Sequence, residues 1–375
     1  MTMRDLPVAG AKRRVRLALC LLLFCCLCAL PAAARPPLRV IYVEAGPLDA
    51  YQQILHGMAQ SLHQAGQLTA QPPVMTGKNR SLTLWRWLGE HAGPDLRFLQ
   101  DGFYSAEWDD NALQEVRQAV QRRLETRRDV DAVLVGGTRA GKLMATLPTD
   151  VPVIVTGATD AVGAGIVRSV ADSGKNNLVA LVYPWRYRRQ VEFFRTLFPF
   201  RRLGVVYEDT PTGRNVVALK EIESAAERLG VELVRCRTSL HDNDADKVAD
   251  NVAACHRKLV EQQADAVYLT VSVAMTPEQT RRTLEPLIDA GLPTFAQSGI
   301  NMVKCGALLS FVDDSVEEGH AAARLLLGVL DGILPRAMSQ KFHGARLLAI
   351  NLRTATYLGW NPSLEVLLSV DEFYE

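Results

Sequence analysis

The chain predicts an α/β protein of two similar Rossmann-like lobes, each a mostly parallel sheet covered by helices. Three observations carry this expectation. Short apolar runs alternate with longer amphipathic stretches almost throughout, which is the pattern of repeated βα units. The alternation comes in two series, one on either side of NNLVALVYPWRYRRQ at residues 176–190. Of the 375 residues, 34 read as an N-terminal signal, and the remaining 341 suffice for two cores.

The signal reading rests on residues 1–34. Arg4, Lys12, Arg13, Arg14 and Arg16 form a basic start, Leu17–Leu30 is unbroken apolar sequence, and Ala32-Ala33-Ala34 offers a small-residue cleavage site. Fourteen apolar residues are short of the ~20 that span a bilayer as a helix, so cleavage and export to the periplasm are expected. Bulky Phe24, Cys25 and Leu27 precede Cys25, Cys26 and Cys28 and argue against a lipid anchor there. The segment takes five of the 42 basic residues and one of the 41 acidic ones, leaving 37 against 40, a net of about −3. That balance gives no reason to expect nucleic acid or an anionic membrane surface as partner, so any membrane association would be through another protein. Four of the seven cysteines also go; Cys236, Cys255 and Cys305 remain, and their spacing leaves open one disulfide or three buried thiols.

In the first series, strands are expected at Leu38–Val43, Leu96–Leu99, Ala132–Val135, Val153–Thr156 and Leu178–Val182. In the second they are expected at Leu203–Tyr207, Glu232–Cys236, Ala266–Thr270, Thr294–Ala296, Ala307–Phe311 and Leu347–Leu352. Helices are expected at Ala50–Ala65, Ala112–Glu125, Val216–Leu229, Ala245–Gln262, Pro277–Ala290 and Val316–Leu330. Lobe one is expected at 35–182 plus about 308–340, and lobe two at 183–307 plus about 341–375. Residues 66–94 fit no βα unit and read as an irregular insertion in lobe one, with its own helix around Leu82–Glu90.

Residues 131–146, DAVLVGGTRAGKLMAT, run an apolar strand into a G-x-x-x-x-G-K pattern. A phosphate-binding loop needs a Ser or Thr next, to hold Mg²⁺, and Leu143 stands there. Thr138 is instead expected at a helix start lining a cleft, with backbone N–H groups available to an anionic group of a ligand, and Lys142 on a solvent-facing helix surface. HDNDADKVAD at 241–250 alternates carboxylates like a calcium loop, but Lys247 replaces the glycine and Ala253 the closing glutamate. Asp242 or Asp244 is therefore expected as a helix N-cap. His56 and His63, seven apart, read as a helix face rather than a metal site. G-x-S-x-G, H-E-x-x-H and S-x-x-K are all absent, so neither an enzyme nor a cofactor is expected. Trp85, Trp87, Phe98, Phe103, Tyr104 and Trp108 crowd one region, where packing of the insertion is expected over a binding surface.

Three passages together resemble the substrate-binding proteins of ABC importers, in particular the group that includes tryptophan- and tyrosine-binding proteins. The first is DVDAVLVGGTRAGKLM with DVPVIVTGATDAVGAGIV; the second is RRLGVVYEDT with NVVALKEIESAAERLGVEL. The third is CGALLSFVDDSVEEGHAAARLLLGVLDGILP followed by AINLRTATYLGWNPSLEVLLSVDEFYE. The resemblance implies a type I periplasmic binding protein-like fold, two lobes joined by crossing strands that close on a small-molecule ligand and hand it to a membrane permease. Carried over by position, it implies ligand contacts from Pro47, Leu48 and Asp49, from Gly137, Thr138 and Arg139, and from Thr159 and Asp160 in lobe one. In lobe two it implies Glu208, Asp209, Asn215, Ser272, Gln297 and Ser298. The chain departs from the family pattern at Val271-Ser272-Val273, where an aspartate is usual, and at YEDTPTGRN, so an amino acid is not implied as the ligand. The same cleft also suits a sensory module that docks on a membrane kinase or cyclase, with the aromatic-rich region as its docking surface.

Overall fold

Near-continuous apolar strands belong in sheets buried on both faces, and the computed structural model contains two of them. It describes residues 35–74, 80–240, 242, 244–270, 275–297, 300–311, 315–344 and 347–375. The first half runs β1 (Leu38–Glu44), α1 (Asp49–Gln64), α2 (Arg80–His91), β2 (Leu96–Ser105), α3 (Asp110–Thr126), β3 (Ala132–Gly136), α4 (Thr138–Met144), β4 (Val153–Thr156) and β5 (Leu178–Ala180). Its five strands lie in the order β2-β1-β3-β4-β5, all parallel.

The second half runs α5 (Arg186–Leu197), β6 (Arg202–Tyr207), α6 (Pro211–Val216), α7 (Leu219–Leu229), β7 (Glu232–Arg237), α8 (Ala245–Glu261), β8 (Ala266–Leu269), α9 (Pro277–Asp289), β9 (Thr294–Ala296), α10 (Ile300–Lys304) and β10 (Leu309–Phe311). The remainder is α11 (Ser315–Leu330), a 3₁₀ turn (Pro335–Ala337), β11 (Leu348–Asn351), α12 (Leu352–Tyr357), α13 (Leu364–Leu368) and β12 (Val370–Tyr374). Seven strands form the second sheet in the order β12-β11-β10-β9-β8-β6-β7, parallel except for the antiparallel pair β10–β11. Leu38–Glu375 folds as one compact unit.

Among the described residues, one segment passes between the sheets after β5 and another between the 3₁₀ turn and β11. The two pair with each other, since Val182 N–H donates to the Gln340 carbonyl at 2.8 Å and Phe342 N–H to the Val182 carbonyl at 2.9 Å. β10 belongs to the second sheet, so the chain returns toward the first half after Phe311 rather than at about 308. Helix α11 then packs on α1 at backbone distance: a Cβ on Gly57 would stand 2.1 Å from the Val316 carbonyl oxygen, and one on Gly319 would stand 2.2 Å from that of Ile54. Only glycine at both positions permits that approach.

The stretch expected to be an irregular insertion is part of the first core. Trp85 on α2 is fully buried, donates Nε1–H to the Leu99 carbonyl at 2.9 Å and meets Phe98 edge to face at 5.2 Å. Leu68 pairs with Ala92 in an antiparallel bridge that closes the segment onto itself. Cys236 on β7 and Cys255 on α8 form a disulfide, and Cys305 is a buried thiol. Asp244 caps α8 by accepting from the N–H groups of Asp246 and Lys247, so the alternating carboxylates do the work of a helix start.

Two titratable groups are deeply buried. Glu44, the last residue of β1, is 1% exposed; burial pushes its carboxyl up to about 8, and its polar neighbours Tyr42, Ser105 and Ser81 pull it partly back. His256 on α8 sits 2.6 Å from the Thr283 carbonyl, and burial pushes its imidazole down to about 4.

Candidate ligand-binding site

Beyond the carboxyl ends of the strands, where open α/β sheets hold ligands, the two halves wall a cleft that is open to solvent at its mouth and holds an inner cavity of about 100 Å³. From the first half, α1 contributes Ala50, Tyr51 and Ile54, its N-cap contributes Leu48, and the turn after β4 contributes Gly157, Ala158 and Thr159. Gly137 has φ of +88°, and a Cβ there would lie 1.9 Å from the Tyr51 hydroxyl oxygen. This glycine lets α4 begin at the very end of β3 and presents Thr138 and Arg139 to the cavity.

Thr138 is 4% exposed, and its hydroxyl accepts the Thr159 N–H at 3.0 Å, so it ties together the loops that follow β3 and β4. Its side chain does not cap α4, whose N-cap is Gly137. The Arg139 side chain is 10% exposed, and its Nη1 lies 2.5 Å from Asp110 Oδ1. Burial raises the Tyr51 phenol well above its ordinary value, keeping it a neutral hydroxyl.

The second half supplies Glu208 after β6, then Gly213, Val216, Val217 and Leu240. The helix expected over Val216–Leu229 begins at Leu219 as α7 and is preceded by a separate short helix, α6; at the break between them the Val217 carbonyl accepts the Gln297 side-chain N–H at 2.8 Å and Ala218 takes φ of +50°. Gln297 is itself held by a buried chain of polar groups: Gln190 Nε2 donates to the Gln297 carbonyl at 3.1 Å, and the Tyr268 hydroxyl donates to Gln190 Oε1. The break is what turns Val216 and Val217 toward the cavity.

Two helix starts provide the remaining wall. Arg186 and Tyr187 open α5, while Ser315 and Glu318 open α11. The Glu221 carboxylate fixes the start of α5 by accepting the N–H groups of Tyr187 at 3.0 Å and Arg188 at 3.2 Å; burial raises its pKa. Glu318 Oε1 accepts the Gly157 N–H at 2.6 Å, tying α11 to the turn after β4. Trp108, which follows Glu107 in the left-handed region at φ of +69°, lines the cavity and packs against the cores of both halves.

Of the residues expected from the sequence, Leu48, Thr138, Arg139, Thr159 and Glu208 line the cavity. The others that the structure describes have different surroundings. Pro47 and Asn215 are half-buried off the wall. Asp49 accepts from Asn301 Nδ2 at 2.7 Å, a contact between the two halves. Gly137 acts through its backbone, and Asp160 accepts the Gly163 N–H at 2.7 Å within its own turn. Asp209 pairs with Arg214 and Arg237, and Gln297 is fully buried beneath the α6–α7 break. Ser272 and Ser298 lie outside the described residues. Sequence reasoning missed Tyr51, Arg186, Tyr187, Ser315 and Glu318, and it placed Trp108 with packing rather than with a ligand wall. Arg186 and Tyr187 follow the crossing after β5 directly, and that crossing, at YPW, was visible in the sequence, so position relative to it was the available signal.

A family model described as ABC transporter substrate binding protein matches residues 102–373. No curated protein matches the chain. Among solved structures, the chain is similar to a conserved domain protein from Vibrio cholerae, at 20% identity and a TM-score of 0.67, covering 90% of this chain and 99% of that one. It is similar at 18% identity, a TM-score of 0.67 and the same coverage to an ABC domain from Streptococcus pneumonia in complex with L-Trp. A 5-methylthioribose transporter solute binding protein from Thermotoga lettingae, in complex with 5-methylthioribose, is similar at 13% identity and a TM-score of 0.53, covering 84% and 85%. These likenesses establish the type I periplasmic binding protein fold.

Proposed function

Because the chain belongs to the ABC transporter substrate binding protein family, we propose that it captures a small organic molecule in the cleft cavity and delivers it to an ABC importer in the membrane. The observation that carries this reading is a cavity walled by residues of both halves, so that a ligand held there would bridge them, the geometry that cleft closure requires. Folds of this kind hold L-Trp and 5-methylthioribose in the two ligand-bound structures above. The wall combines both signs of charge, Arg139 and Arg186 with Glu208 and Glu318, and three aromatic rings, Tyr51, Trp108 and Tyr187. That combination suits a polar ligand with a flat apolar portion. Arg139 and the loop at Thr138 are the groups assigned to its anionic part, with Arg139 exchanging Asp110 for the ligand. Export is supported by the basic-then-apolar N-terminal sequence and by the Cys236–Cys255 disulfide, which persists in oxidising compartments.

The test is a thermal-shift screen of ligand-stripped protein against amino acids, nucleosides, sugars and small carboxylates. A true ligand at 100 times its Kd adds about 2.7 kcal/mol of stability. Thr138→Trp fills the cavity and is expected to abolish the shift while the unliganded protein keeps its circular dichroism. A folded Thr138→Trp protein that binds as well as the parent removes the cleft assignment.

A further inference from the structure

A second cavity lies on the far side of the first crossing, between α5 and the strands β10 and β11. Arg186, Arg189 and Phe193 fall three and four residues apart on α5 and so share one face of the helix. They meet Phe311 on β10, Leu348 on β11, and Tyr183 of the crossing itself. Phe193 and Phe311 pack with ring centroids 5.1 Å apart and, with Leu348, make an apolar floor. The Arg186 guanidinium lies 5.2 Å from the Tyr183 ring and 5.6 Å from the Tyr187 ring. Arg189 lies 5.8 Å from the ring of Trp185, a residue 52% exposed, and no carboxylate lies within ion-pair distance of Arg189 among the described residues. An arginine in an apolar lining, with no carboxylate among the described residues in ion-pair range, suits a ligand that brings one.

We propose that this cavity is a second binding site, for a small amphipathic monoanion: an aryl or branched-alkyl carboxylate whose apolar body rests on Phe193, Phe311 and Leu348 and whose carboxylate meets Arg189 and Arg186. The site is separate from the cleft and does not depend on the cleft's ligand. Arg186 lines both cavities.

The probe is phenylacetate, with neutral phenylacetamide and with acetate as controls, added at millimolar concentration to full-length protein labelled with 5-fluorotryptophan. The Trp185 resonance is assigned by its loss in Trp185→Phe, and is expected to shift with phenylacetate and not with either control. Arg189→Gln is expected to weaken that binding tenfold or more, and Arg189→Lys to weaken it less, because a charge is kept without the paired N–H donors. Thr138→Trp is expected to leave it unchanged. Three outcomes overturn the proposal: no Trp185 shift with phenylacetate, a shift equally strong with phenylacetamide, or binding that is lost in Thr138→Trp and kept in Arg189→Gln. The last result assigns phenylacetate to the cleft and leaves the reading of the cleft itself intact.

Discussion

Glu44 and His256 give the protein opposing responses to pH. In the folded state the Glu44 carboxyl keeps its proton up to about 8, whereas in the unfolded chain it ionises near 4.5. Between those values the folded state binds the extra proton, so stability falls as pH rises, by up to about 1.4 kcal/mol per unit. His256 runs the other way: between about 4 and 6.5 the unfolded chain binds the extra proton, so stability rises with pH. The two slopes offset each other at the acidic end and leave a net decline from pH 6.5 to 8. Urea denaturation across that interval is expected to show the decline in the parent protein and a flat profile in Glu44→Gln. An equal decline in Glu44→Gln refutes the assignment.

At the scale of elements, the α6–α7 break joins fold to site. Gln297→Ala removes the donor to the Val217 carbonyl and leaves a buried acceptor unsatisfied, a cost of about 1–3 kcal/mol. It is also expected to weaken ligand capture although Gln297 touches no part of the cavity, because Val216 and Val217 lose their fixed place in the wall. Denaturation midpoint and ligand affinity, measured on the same variant, check both effects; loss of stability with unchanged affinity counts against the positioning role. This break also marks the limit of what the sequence disclosed. Periodicity located the buried strands and long helices, because burial on one face leaves a repeating trace in composition. A helix interrupted at Val217 leaves no such trace, since the contact at the break is with a side chain eighty residues away. The same reason explains the site. Loop residues next to strand ends, such as Thr138 and Glu208, were readable, whereas Tyr51 and Glu318 reach the cavity only through helix packing. β12 passed unnoticed because its half-buried edge sequence, VDEFY, carries too few apolar residues to register as a strand.

At the scale of the molecule, contacts between the halves across the cleft include Trp108, packed against both cores, and the hydrogen bond from Asn301 to Asp49. Trp108 is the larger, and its ring also forms part of the ligand wall. Trp108→Ala is expected to shift the ligand-free protein toward more open arrangements, seen as a larger radius of gyration in small-angle X-ray scattering. It is also expected to weaken ligand affinity about tenfold, or about 1.4 kcal/mol. An unchanged radius together with unchanged affinity shows that Trp108 is a passive wall residue.

The close approach of α1 and α11 through Gly57 and Gly319 reaches further than packing. Ile54, whose carbonyl faces Gly319, lines the cavity, and Glu318, next to Gly319, holds the turn at Gly157. A methyl group added at either glycine would wedge the helices apart and move both groups at once. In a genetic selection for uptake, such changes would score as loss of recognition although neither glycine belongs to the cavity wall. A map of the binding site drawn from phenotypes alone would therefore extend one helix layer beyond the residues that make contact.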